Sequence, residues 1–184
     1  MRKLIYAMTV SLDGYINAPD GGINWSPPDD ELFRFHTKRV ENTDVQLLGR
    51  RLYETMLYWE TVDVGSLDAD HLKFATIWKA LPKIVISTTL ESVGSNCRLV
   101  KNDLAEEISK LKKQPGKDIA VGGAQLAHAC MKLNLIDEWH MFVCPVLLGG
   151  GTRYFPDQYE TSKIELVETK TFGNRVVHLR YRRT

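Results

Sequence analysis

Apolar residues recur along this chain in two rhythms. Residues 4–10 form a short, nearly unbroken apolar run with β-branched and aromatic members, which predicts a strand buried on both faces. Residues 45–48, 83–87, 97–100 and 118–121 repeat that pattern. Helical spacing lies between them. Pro28-Asp29-Asp30 places acids where a helix begins, and Leu32, Phe33, Phe35 and Val40 then share a broad face. Residues 50–56 read as a helical turn, and residues 68–81 as a helix stopped by Pro82. Leu104, Ile108 and Leu111 follow an i, i+4, i+7 rule, with Lys110, Lys112 and Lys113 at the favoured C-terminal end. Another helix follows Gly122-Gly123 and runs to about Leu133. The end of the chain is β: residues 138–146, then alternating strands at 163–172 and 175–182 joined around Gly173-Asn174, a hairpin signal. This order predicts an α/β fold, a mostly parallel sheet flanked by helices and finished by an antiparallel hairpin.

Composition narrows the functions. At 184 residues the whole chain, 1–184, reads as a single domain. Twenty-four Lys and Arg offset twenty-three Asp and Glu, so no global field draws nucleic acid or an anionic membrane. No stretch reaches the ~18 apolar residues of a membrane span, and Thr9, Ser11 and Asp13 interrupt the apolar start where a secretory signal would continue. Cys97, Cys130 and Cys144 contain no C-x-x-C pair and fit free thiols in a reducing cytoplasm. His36, His71, His128, His140 and His178 never fall at metal-ligand spacing, so no metal is expected.

Three loops carry candidate chemistry because each follows a strand, and open α/β sheets bind ligands beyond the carboxyl ends of their strands. Gly122-Gly123-Ala124-Gln125 joins a strand to a helix; its glycines let a ligand approach the backbone, and the helix start offers N–H groups to a phosphate. A plain tight turn is the equal alternative. Gly49-Arg50-Arg51 sets two guanidinium groups, whose planar forks suit phosphate, at the same edge. Ser87-Thr88 adds hydroxyls, which serve a turn equally well. Together the loops outline a dinucleotide site favouring a phosphorylated ribose, hence NADPH over NADH.

Residues 5–7, the segment Leu48-Gly49-Arg50-x-x-Tyr53-Glu54, residues 84–87 and Val121-Gly122-Gly123 occur in the order and spacing of the dihydrofolate reductase fold. More closely, Ser11-Leu12-Asp13-Gly14-Tyr15-Ile16, residues 135–138 and the Pro145 to Gly151 run resemble the C-terminal reductase domain of the bifunctional riboflavin-biosynthesis deaminase/reductase. The zinc deaminase signature is absent. The resemblance implies an NADPH-dependent reductase, usually a homodimer, acting on a small pyrimidine or pterin-like molecule. In the riboflavin pathway that reaction opens a ribosylamino sugar phosphate and reduces it to a ribityl chain. Carried over residue by residue, Gly49, Arg50 and Arg51 would hold phosphates, Ser87 and Thr88 would flank the adenosine ribose, and Gly122, Gly123, Ala124 and Gln125 would lie under the pyrophosphate. Leu52 stands where dihydrofolate reductases usually carry threonine.

On the substrate side, hydride delivery to a C=N carbon calls for a proton at nitrogen, which a carboxylate with a raised pKa supports. Asp13, just beyond the first strand, is one candidate, with an Asx-type turn as its alternative. Asp30 and Glu31 are the others: counting from Trp25 and Pro28 selects Asp30, counting back from Leu32 and Phe35 selects Glu31, and helix capping competes with both. Trp25, Gly150 and Arg153 complete the expected substrate set, Arg153 as the cation for a substrate phosphate. Two other functions stay open at this point: a dihydrofolate reductase, and a non-catalytic nucleotide-binding dimer.

Overall fold

In the computed structural model, which describes residues 1–157, 161–173 and 175–184, eight strands form one sheet in the order β4-β3-β2-β5-β1-β6-β8-β7. The strands are β1 (Leu4–Ser11), β2 (Thr43–Gly49), β3 (Lys83–Ile86), β4 (Cys97–Val100), β5 (Asp118–Gly122), β6 (Glu138–Cys144), β7 (Ile164–Thr171) and β8 (Val177–Arg183). From β4 to β6 every neighbouring pair is parallel; β8 then runs antiparallel to both β6 and β7. The expected parallel core and closing hairpin are both present, and only Asn174 of the expected turn lies outside the described residues.

β1 is central, paired to β5 and β6, and its apolar run is buried on both sides as a parallel interior strand requires. The helices are α1 (Asp30–Glu41), α2 (Arg50–Met56), α3 (Tyr58–Thr61), α4 (Ala69–Ala80), α5 (Leu104–Lys113) and α6 (Ala124–Lys132), with a 3₁₀ turn at Val64–Ser66. The four-residue α3 and the 3₁₀ turn escape a reading by periodicity because neither completes an amphipathic repeat. Asp29 begins α1 by accepting the Leu32 N–H at 2.8 Å, so the acids of 29–31 divide between a cap and a first turn.

The two faces of the sheet bury different clusters. Leu4, Tyr6 and Val10 pack with Ile108 and Leu111 of α5 and with Leu126, Ala127 and Met131 of α6. On the other face Phe142, Cys144 and Phe172 pack under Leu32 and Phe35 of α1. Tyr154 pins a late loop to the first face: its ring lies 4.4 Å from that of Tyr6, and its hydroxyl donates to the Tyr6 and His140 carbonyls at 3.2 and 3.3 Å. Asp137 and Glu138 are structural. Asp137 accepts the Leu4 N–H and the Lys112 ammonium, while buried Glu138 gathers Lys3, His140 and Arg180.

Candidate active site

The carboxyl ends of β1, β2, β3 and β5 open on one side of the sheet, and a continuous groove of about 1890 Å³ runs across them. All three sequence loops reach it: Gly49, Arg50 and Arg51 after β2, Ser87 and Thr88 after β3, Gly123, Ala124 and Gln125 after β5. Trp25 and neighbouring residues of the β1–α1 loop form the opposite wall, and Gly151 and Thr152 close one end.

Gly122, expected under the pyrophosphate, is not among the groove's lining residues because it packs against Leu52, Gln46 and Leu48. A Cβ there would collide with Leu52 Cδ2, so Leu52, the residue in the threonine position, is seated directly on the glycine. Gly123 has φ +92°, a conformation side chains rarely adopt, and it hands the chain to α6 without any side-chain cap. The first N–H groups of α6 therefore face the groove, an arrangement suited to a pyrophosphate.

The cations along the groove differ in what they hold. Arg50 donates through Nε to Glu54 at 2.7 Å and through a terminal nitrogen to Thr89 Oγ1 at 3.0 Å. Arg51 is exposed and has no ion-pair partner among the described residues. The Ser87 hydroxyl accepts the Thr89 and Leu90 N–H groups, both at 3.2 Å, so it shapes the turn in which Thr88 stands exposed.

Sequence reasoning missed the cation at the other end. Arg39 and His36, one turn apart on α1, both line the groove. Arg39 is half-buried, its guanidinium 5.3 Å from the centre of the Phe142 ring, and no carboxylate among the described residues pairs with it. Burial pushes its pKa down to about 10 and that of His36 down to about 3, the Arg39 charge adding to the latter. Because arginine only donates, the 3.4 Å approach of Arg39 to His36 Nδ1 makes that nitrogen the acceptor of a neutral ring. The i, i+3 spacing was the available signal; their turn toward the sheet was not.

The three candidate acids stand elsewhere. Asp13 accepts from the Ser11 hydroxyl at 2.6 Å, from Leu148 N–H at 3.1 Å and from Gly149 N–H at 2.7 Å, and these bonds hold its carboxyl down to about 2. It ties the β1–α1 loop to the glycine loop, reinforced by Thr152 N–H on Asn17 Oδ1 at 2.7 Å. Asp30 and Glu31 are not among the groove's lining residues, and Glu31 pairs with Lys170 at 2.9 Å. Asp20 and Glu54 are the carboxylates along the groove among the described residues. Gly150 and Arg153 line a separate depression of about 560 Å³, where Arg153 is bound to Asp157 at 2.8 Å. No group of three metal-ligating side chains occurs among the described residues.

Residues 2–178 match the model of the RibD C-terminal domain. The chain belongs to that family. Among its relatives are two Bacillus subtilis (strain 168) proteins. The uncharacterized protein YyaP is 32% identical over 184 residues, covering 98% of this chain and 94% of YyaP. YwjB, also uncharacterized, is 30% identical over 181 residues, 95% of each. Among solved structures, a protein from Shewanella sp. PV-4 described as a candidate riboflavin biosynthesis protein superposes with TM-score 0.79 at 22% identity, over 100% of this chain and 99% of its own. Acinetobacter baumannii RibD superposes with TM-score 0.69 at 16% identity, and this RibD C-terminal-like chain spans 58% of it. The fold is the dihydrofolate reductase-like fold of the RibD C-terminal domain, as the sequence motifs implied. Among the described residues no helix is long and apolar enough to cross a membrane.

Proposed function

We propose that this RibD-type protein is an NADPH-dependent reductase of an anionic pyrimidine or pterin-like substrate. The observation that carries this reading is the single groove with phosphate-directed groups at one end and, at the other, the Arg39 guanidinium, which has no carboxylate partner among the described residues. Arg50, Arg51 and the start of α6 would hold the cofactor's phosphates, with Gly123 leaving the groove wall beside them without a side chain. When bound, the cofactor supplies a hydride.

The chain's own contribution is positioning and charge. Arg39 would take a phosphate or comparable anion of the substrate, making a charge-assisted bond in a half-buried setting. Neutral His36 offers Nε2–H beside it as a second donor. A ribosylamino phosphate fits this arrangement: its ring would open as the C1–O4 bond breaks, O4 taking up the N–H proton while C1=N forms, and reduction of that imine would add hydride at C1 and a proton from water at nitrogen. The groove needs no buried acid for that route. Dihydrofolate reduction does, and neither Asp30 nor Glu31 lines the groove.

NADPH titration followed by turnover of a ribosylaminopyrimidine phosphate tests the reading. Binding with a dissociation constant below about 100 μM and consumption of NADPH with this substrate are expected. No NADPH binding near millimolar concentration overturns it, and binding without turnover of any pyrimidine, pterin or small carbonyl compound favours a nucleotide-binding role. We also propose a homodimer, joined through the sheet face where Met141, Val143, Leu179 and Tyr181 are half-buried and Leu166 is 49% exposed. Leu166→Lys should then sediment as a monomer.

A further inference from the structure

The two arginines at the cofactor end are not equivalent, and the difference comes from Glu54. One helical turn after Arg50 on α2, Glu54 accepts the Arg50 Nε at 2.7 Å, and Thr89 takes a terminal N–H of the same guanidinium at 3.0 Å. Both side chains of the ion pair are about half exposed, at 51% and 44%. Arg51 stands beside them on the groove with no ion-pair partner among the described residues. We propose that Glu54 is an internal counter-anion that sets how strongly the groove discriminates between dinucleotides with and without a phosphate on the adenosine ribose. This rests on the reading that the groove takes such a cofactor.

A phosphomonoester brings close to two negative charges at neutral pH. Arg51 attracts it with a full positive charge. Arg50 contributes a guanidinium already neutralised, and an incoming phosphate must share or displace the Glu54 carboxylate to use it. An unphosphorylated ribose meets no such opposition, because a hydroxyl carries no charge and can donate to the Glu54 oxygen. Glu54 therefore narrows the preference for the phosphorylated cofactor that Arg50 and Arg51 would otherwise create. Exposed ion pairs of this kind are weak, so the displacement is affordable and the effect is a graded one.

The test is paired titration of NADPH and NADH against the wild type, Glu54→Gln, Arg50→Leu and the Glu54→Gln/Arg50→Leu double variant, at about 50 and 300 mM salt. Glu54→Gln keeps shape and an acceptor while removing charge. It should tighten NADPH by about three- to tenfold, leave NADH unchanged or weaker, and lose most of that gain at the higher salt. The gain should shrink to less than about twofold when Arg50 is absent. Failure of the wild type to bind either dinucleotide sinks the cofactor reading itself. If the wild type binds but Glu54→Gln leaves the NADPH to NADH ratio unchanged, or tightens both equally, the role given to Glu54 is wrong while the cofactor reading stands. A full gain persisting without Arg50 also overturns it.

Discussion

Arg39→Met should make this protein more stable and less able to bind its substrate. The guanidinium is half-buried over Phe142, without a carboxylate, and burial lowers its pKa from 12.5 to about 10. A depression of that size corresponds to about 3 kcal/mol against the charged form, and partial solvent access reduces it to about 1–2 kcal/mol. At neutral pH the group is charged in both folded and unfolded chains, so the cost falls wholly on the folded state. Methionine removes the charge and keeps an unbranched body against the Phe142 ring, while the lost cation–π contact returns about 0.5–1 kcal/mol. The net gain is about 1 kcal/mol, or about 2–4 °C in Tm for a chain of this length, read by calorimetry without ligand. Substrate affinity should fall about ten- to a hundredfold, the worth of one charge-assisted hydrogen bond, while NADPH affinity moves by less than about threefold. A lower Tm in the variant, or undiminished affinity for an anionic substrate, refutes the assignment of Arg39 as an uncompensated cation held for a ligand.

The remaining predictions concern acid, the glycine turn and the loop tie. His36 and His178 both have pKa values pushed down to about 3, first by burial and then by neighbouring charge from Arg39, and for His178 also from His140, Arg180 and Lys170. Below about pH 6.5 the unfolded chain takes up protons that the folded chain refuses, so stability falls from pH 6.5 toward pH 3. The loss by pH 5 should be about 2–4 kcal/mol, and His178→Phe should roughly halve it in urea titrations at pH 7 and pH 5; an unchanged pH dependence in that variant would count against the account. Gly123→Ala forces a side chain into φ +92° at the start of α6; it should cost about 1–2 kcal/mol and weaken NADPH about tenfold by isothermal titration. Asp13→Asn leaves an acceptor but discards the charge that Ser11, Leu148 and Gly149 donate to. It should lower kcat more than tenfold with NADPH affinity within a few-fold, and wild-type turnover would show that the tie does not position the site.

Most of the fold was legible because its signals are local. Parallel interior strands each carry a short apolar run, and Pro82, Gly49 and Gly123 punctuate them at the same places where the chain turns. The three groove loops were legible for a related reason: in a parallel sheet every strand's carboxyl end faces the same way, so naming the strands also gathers the loops. The acids were not legible, because a carboxylate's role depends on which way it turns. Asp13 follows β1 and begins the loop that walls the groove, yet three donors turn it toward residues 148 and 149, which lie about 135 positions away in sequence. Arg153 was not placed for the same reason: it lines the neighbouring depression rather than the groove, and its guanidinium is held by Asp157. Arg39 is the converse case. Nothing in its surroundings in sequence distinguishes it from Arg34 or Lys38 on the same helix, and Arg34 is neutralised by Asp70 at 2.8 Å. What sets Arg39 apart is an absence, the want of any carboxylate within reach among the described residues, and the presence of an aromatic face beneath it. Unpaired burial of a permanent cation is costly, so a fold that keeps one open to a groove points to an anion arriving from outside, and a substrate phosphate meets that requirement with the fewest further assumptions.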